Sequence, residues 1–214
     1  MPYQYHKNNY KMKLYYTTIK GQDQIQNEPY LSLGGYKSAS LVSNNTLGNM
    51  FDAITSLTIA NSKEREYIGL ILKNETDTRV ENLWLWFEFP EKCYSKFRVA
   101  AVNLSSDEND VPVMEHIPTR NSQPSFAEFH EADGIENAVL LGNLDVGAMI
   151  GLWFERQLLK GLADIVTDEK ELYEVHPQNP DLVRPIIQET IDEIKICMLW
   201  GSEYYGSPIG EDLI

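Results

Sequence analysis

Tyr67-Ile68-Gly69-Leu70-Ile71-Leu72-Lys73 is a short apolar run that stops at the polar Asn74-Glu75-Thr76-Asp77, as a buried strand does where it enters a turn. Leu83 to Phe89 then alternates, with Leu83, Leu85, Phe87 and Phe89 on one face and Trp84, Trp86 and Glu88 on the other. Pro90 ends it, because proline has no amide to give to a ladder. Large apolar groups on both faces mean that this strand is buried twice over or offers Trp84 and Trp86 to a partner.

Further strands follow at close spacing. Phe97 to Leu104 is a third, Ser105 to Asp110 a turn by composition, and Val111 to Ile117 a fourth, with Pro112 and Pro118 marking an edge or a strand end. Ser125 to Glu131 alternates as a fifth, Leu140 to Gly147 reads as a turn-bearing corner, and Ala148 to Leu158 as a long strand. Short strands separated by turn signals indicate an all-β sandwich or barrel. Two stretches depart from this pattern. Leu47, Met50, Phe51 and Ile54 have helical spacing, which predicts a short helix over 45–54. Residues 160–189 read as an irregular insertion, with a helix start at Thr167 to Glu171 and prolines at 177, 180 and 185. Ile187 to Trp200 fits two periods: Ile187, Ile191, Ile194 and Met198 suit a helix, while Ile194, Ile196, Met198 and Trp200 alternate. Its β-branched density and the Gly201 stop favour a last strand at 190–200.

The formal net charge of −14 weighs against a polyanion-binding body, but the charge is unevenly spread. Residues 1–102 carry +2 and residues 103–214 carry −16. Residues 1–29 read as a basic, tyrosine-rich arm: Lys7, Lys11, Lys13 and Lys20 precede the first acidic residue and are interleaved with Tyr3, Tyr5, Tyr10, Tyr15 and Tyr16. Lysine and tyrosine together could follow a phosphate backbone, but four lysines are few and the acidic body would repel it. Docking on an acidic protein surface, such as the next copy of the chain, fits better. A first β-strand with Lys11, Lys13, Tyr15 and Thr17 on one face is the competing reading. The tail, 201–214, has no period and holds Tyr204 and Tyr205.

Chemical motifs fail on inspection. Gly34-Gly35-Tyr36-Lys37-Ser38 lacks the glycine before the lysine that a phosphate loop needs and reads as a two-glycine strand end or bulge. His130-Glu131 is followed by Gly134 where a zinc-protease helix has its second histidine. Asp107 to Asp110 lacks the glycine and distal glutamate of a calcium loop. The four histidines are scattered, Cys93 and Cys197 form no C-x-x-C pair, and no G-x-S-x-G elbow occurs. The expectation is a non-enzymatic chain with no cofactor or metal and with cysteines as reduced thiols. There is no apolar leader segment and no span for a bilayer, so synthesis in a cytoplasm is expected.

Leu31 to Tyr36, Leu47 to Asp52, Glu66 to Asn74 and Val80 to Trp86 occur in an order that resembles Ig-like β-sandwich virion proteins of tailed bacteriophages. Leu144 to Arg156 is similar to the turn and strand near the end of that domain, so the likeness spans about residues 30–157. The resemblance implies an Ig-like antiparallel sandwich over 30–159 and a structural role in the virion with no catalytic residues; the extended terminal arms and the insertion at 160–189 depart from the simple domain. The arms and the insertion suit subunits that interlock in a neck or tail ring, similar to ring proteins of crAss-like phages; capsid decoration is the alternative location. Partners would be copies of the chain and other virion proteins, without membrane or nucleic acid. Interface candidates are Tyr3, Tyr5, Lys7, Tyr10, Lys11, Lys13, Tyr15, Tyr16, Trp84, Trp86, Tyr204 and Tyr205. A module from another class, with Trp84 and Trp86 stacking on sugar, is the competing function.

Overall fold

The apolar run at 67–72 lies in strand β4 (Arg65–Asn74), near the middle of the larger of two curled antiparallel sheets. That sheet is ordered β6 (Ser95–Val102), β10 (Met149–Leu158), β4, β1 (Met12–Thr18), β2 (Gly35–Leu41), β8 (Pro112–Met114), β7 (Ser105–Ser106). The smaller sheet is ordered β15 (Glu211–Leu213), β14 (Lys195–Leu199), β5 (Val80–Glu88), β9 (Val139–Leu144). Two short pairs lie apart, β3 (Ile54–Thr55) with β13 (Glu189–Thr190) and β11 (Tyr173–Val175) with β12 (Val183–Pro185). The structure, a computed structural model, describes residues 12–42, 49–51, 54–55, 65–89, 93, 95–158, 173–175, 183–185, 189–190, 195–200 and 211–213. The chain is all-β, and single 3-10 turns at Pro29–Leu31 and Ile135–Asn137 are the helical elements among the described residues. No helix there is long and apolar enough to cross a membrane.

The core lies between the sheets. Ile68, Leu70 and Leu72 of β4, Leu14 and Tyr16 of β1, Leu152 and Phe154 of β10, and Phe97 and Val99 of β6 cluster with Leu83, Leu85 and Phe87 of β5 and Ile196 and Met198 of β14. Each fully buried leucine or isoleucine here contributes roughly 2 kcal/mol. The other face of the large sheet is covered as well. Tyr67, Ala100, Trp153, Met114 and Ile117 form a second cluster, with Leu33 and Phe129 packed against it. This second layer explains why β4 reads as a continuous apolar run instead of an alternation. It also explains Gly69 within the strand: a Cβ there would lie 3.0 Å from the Trp153 ring and 3.0 Å from the Gly34 nitrogen.

Several expectations need correction. Residues 12–18 are not part of an arm; β1 pairs with β2 on one side and β4 on the other, because Leu14 and Tyr16 supply core side chains. Residues 23–26 likewise hydrogen-bond along β2, Asp23 N to Lys37 O and Ala39 N to Gln24 O. The strand read at 125–131 is absent: after Pro124 the chain turns, Phe126 is exposed, and only His130 makes a bridge, to Val99. The corner read at 140–147 is instead strand β9 followed by a turn at 145–148, and Gly142 adopts φ 91° where its pairing with β5 shifts register. The strand read over 111–117 is confined to Pro112–Met114. Of the helix expected over 45–54, residues 49–51 are bends and 54–55 a strand; the rest lies outside the described residues, as does the helix start at 167–171. The tail contributes β15 to the small sheet beside β14, the strand expected at 190–200.

Candidate assembly surface

Tyr3, Tyr5, Lys7, Tyr10, Lys11, Tyr204 and Tyr205 lie outside the described residues. The other arm candidates are engaged within the chain. The Tyr15 hydroxyl donates to Glu75 Oε1 at 2.6 Å, Lys13 Nζ sits 2.5 Å from Oε2 of the same carboxylate, and Lys73 Nζ lies 3.3 Å from Oε1. Lys37 stacks over the Tyr15 ring at 4.4 Å from its centroid and pairs with Asp23. Tyr16 donates to Asn49 O at 2.5 Å, and burial pushes its phenol up to about 12. These are intramolecular clamps between strands, so the interface reading of Lys13, Tyr15 and Tyr16 is replaced by a structural one.

The Glu75 clamp has a pH signature. Burial alone would raise this carboxyl, but hydrogen bonds from Lys13, Tyr15 and Lys73 overcome it and hold Glu75 at about 2, against an ordinary 4.5. A depressed carboxyl contributes stability that is complete above the unfolded value and is lost as pH falls through the folded one. Urea midpoints should therefore drop between about pH 4.5 and 2, and Glu75→Gln should flatten that drop. An identical acid limb in the variant would contradict the assignment.

Trp84 and Trp86 share the outer face of the small sheet, opposite Leu199 and Cys197 of β14, and Trp84 also opposes Leu140 of β9. Trp86 is only 5% exposed and Trp84 half-buried. The sugar platform needed both rings open, and the buried one removes it. The small sheet is nonetheless apolar on both faces, and Leu140, at its edge, is 49% exposed.

That edge borders the feature missing from the sequence reading. Residues 130–138 form a strap across one open side of the sandwich. His130 and Val99 exchange both backbone hydrogen bonds at the free edge of β6, and Phe87 exchanges bonds with Ala132 and Gly134 on the β9 side of β5. The strap thus stitches the two sheets together, and its own Ala132 is fully buried against the core. Among the described residues two hollows adjoin it. One, of about 320 Å³, is lined by Phe89, Cys93, Lys96, Phe97, Glu131 and Asp133. The other, of about 450 Å³, is lined by His130, Glu131, Asn137, Ala138, Val139 and Leu140. Phe89 stacks on Phe97 at 6.1 Å and 26°, and Phe97 continues inward to Phe51 and Phe87, so the exposed Phe89 ends an aromatic column that rises from the core. Glu131 and Asp133 form the rim with Lys96, whose Nζ is 3.9 Å from Glu131.

The turn at 107–110 uses its oxygens internally. Asp107 accepts from the Asn109 and Val111 amides and from the Tyr36 hydroxyl, and those two amide bonds, chiefly that of Val111, hold its carboxyl below the usual range. Comparison with family models, with curated proteins and with solved structures found no match.

Proposed function

We propose that the chain is a non-enzymatic structural subunit of a tailed-phage particle, a neck or tail ring component that associates with its own copies and with other virion proteins. The observation that carries this reading is the strapped side of the sandwich. There Phe89, Ile135 and Leu140 are exposed beside β6 and β9, which are edge strands of the two sheets, and among the described residues the strap pairs with β6 at Val99 alone. Exposed apolar groups next to sheet edges are what an isolated chain avoids and an assembling one uses. Residues 1–11, with lysines and no acidic residue on an otherwise acidic chain, favour a head-to-tail contact, which closes into a ring when the rotation allows.

Light scattering on the eluting full chain should give a mass that is a multiple of 24.5 kDa, and Leu140→Lys should shift it towards the monomer with an unchanged β-sheet circular dichroism. A monomer at high micromolar concentration would count against self-association. Cryo-electron microscopy of the particle should find this sandwich at the neck or tail; density there accounted for by other chains would remove the virion assignment.

A further inference from the structure

We propose that residues 1–11 of a second copy of this chain lie in the hollow between the strap and the β6 edge, with lysine at the Glu131–Asp133 rim and tyrosine on Phe89. The inference rests on the reading of the chain as a self-associating subunit and adds which segment meets which surface.

The hollow calls for a particular chemistry. Its floor is the open end of an aromatic column, Phe89 on Phe97, and among the described residues its rim carries two carboxylates, Glu131 and Asp133, against one lysine, Lys96. Aromatic rings beside carboxylates suit a cationic, aromatic peptide, with tyrosine supplying area at low entropy cost. Glu136 of the strap adds a further exposed negative charge. Residues 1–11 contain Tyr3, Tyr5, Tyr10, Lys7 and Lys11 and no acidic residue. That is the complementary composition, found on the same chain.

Reach decides between the chain's own hollow and a neighbour's. Met12, where the segment begins, pairs with Asn74 at one end of β4, whereas Ser95, beside the hollow, pairs with Leu158 at the other end of the sheet. Leu158 lies one residue past Gln157, the partner of Arg65, so ten residues along the strands at about 3.3 Å each, and three strand spacings of about 4.8 Å, separate these points by roughly 36 Å. Eleven extended residues span at most about 36–40 Å. Stretched across its own subunit, the segment would bring only its first residue to the hollow and could not lay its tyrosines and lysines in it. A second copy placed with its hollow near Met12 has no such limit.

The test uses the full chain with p-benzoylphenylalanine in place of Tyr5, mixed as isotopically light and heavy copies and irradiated. Cross-links that join a heavy to a light copy should fall in the peptides Phe89–Phe97 or His130–Leu140. Glu131→Lys with Asp133→Lys, both at exposed positions, should lower their yield by about tenfold, as the loss of two partly exposed charge pairs would. Glu131→Gln with Asp133→Asn should lower it less, with circular dichroism unchanged in either pair. An oligomer whose cross-links fall on other surfaces overturns the hollow and leaves the subunit reading standing. Cross-links to the hollow within one copy overturn the exchange, and a monomer with no cross-link between copies overturns both readings.

Discussion

Gly34→Ala should cost more than about 3 kcal/mol in urea unfolding, while Gly142→Ala should cost about 1–2 kcal/mol, although both glycines have positive φ. The difference is what a methyl group would meet. At Gly34 a Cβ would lie 1.8 Å from the Glu115 carbonyl oxygen and 2.8 Å from its carbon, whereas at Gly142 nothing lies within 4 Å. Backbone cannot rotate aside as a side chain can, so segment 29–34 would have to leave segment 114–117. That separation breaks the Ile117 N to Leu33 O hydrogen bond at 2.9 Å and uncovers Trp153, which is fully buried beneath them. Near-equal losses in the two variants would show that the layer over the large sheet is not a fixed part of the fold.

The second large effect is expected on the same face of that sheet. Glu155, 1% exposed, accepts from Arg98 Nε and Nη2 at 2.7 Å each, with Arg65 3.7 Å away and Phe129 over the guanidinium at 5.6 Å. Glu155→Ala leaves the Arg98 charge half-buried and without its main partner, a loss of about 3 kcal/mol, at the low end for a broken buried pair because Arg98 keeps some contact with solvent. Replacing both residues by methionine should recover most of it, since the desolvation cost goes with the charges. A double variant as unstable as the single one would mean that the pair matters through packing alone.

Strands β4, β5, β6 and β10 were legible because their side chains repeat the environment they enter: a continuous apolar run where both faces are covered, alternation elsewhere. β1 was harder. Its Met-Lys-Leu-Tyr-Tyr-Thr-Thr reads as a basic arm until Glu75 is seen to collect Lys13 and Tyr15, a contact across 60 residues that no local period records. Ser125 to Glu131 failed for the opposite reason. Its alternation is real, but a strand also needs a neighbour, and only His130 has one. The strap was invisible because backbone amides and carbonyls of Val99 and Phe87 hold it, and these groups are the same in every residue. Phe89 was legible as an apolar position, but its exposure follows from that strap and from Pro90 ending the strand.

The order in which the large sheet receives its strands affects how the chain is made. β4 lies between β1 and β10, so one of its edges has no partner until residues 149–158 have been synthesised, some 75 residues after β4 itself. Until then the nascent polypeptide carries Tyr67 to Leu72 with one row of amides and carbonyls open and no Trp153 to cover Gly69. Pairing at such separation is slow to nucleate, and an open apolar edge invites association with other unfinished chains. Translation through the final strand of this sheet is thus the step at which aggregation competes with folding.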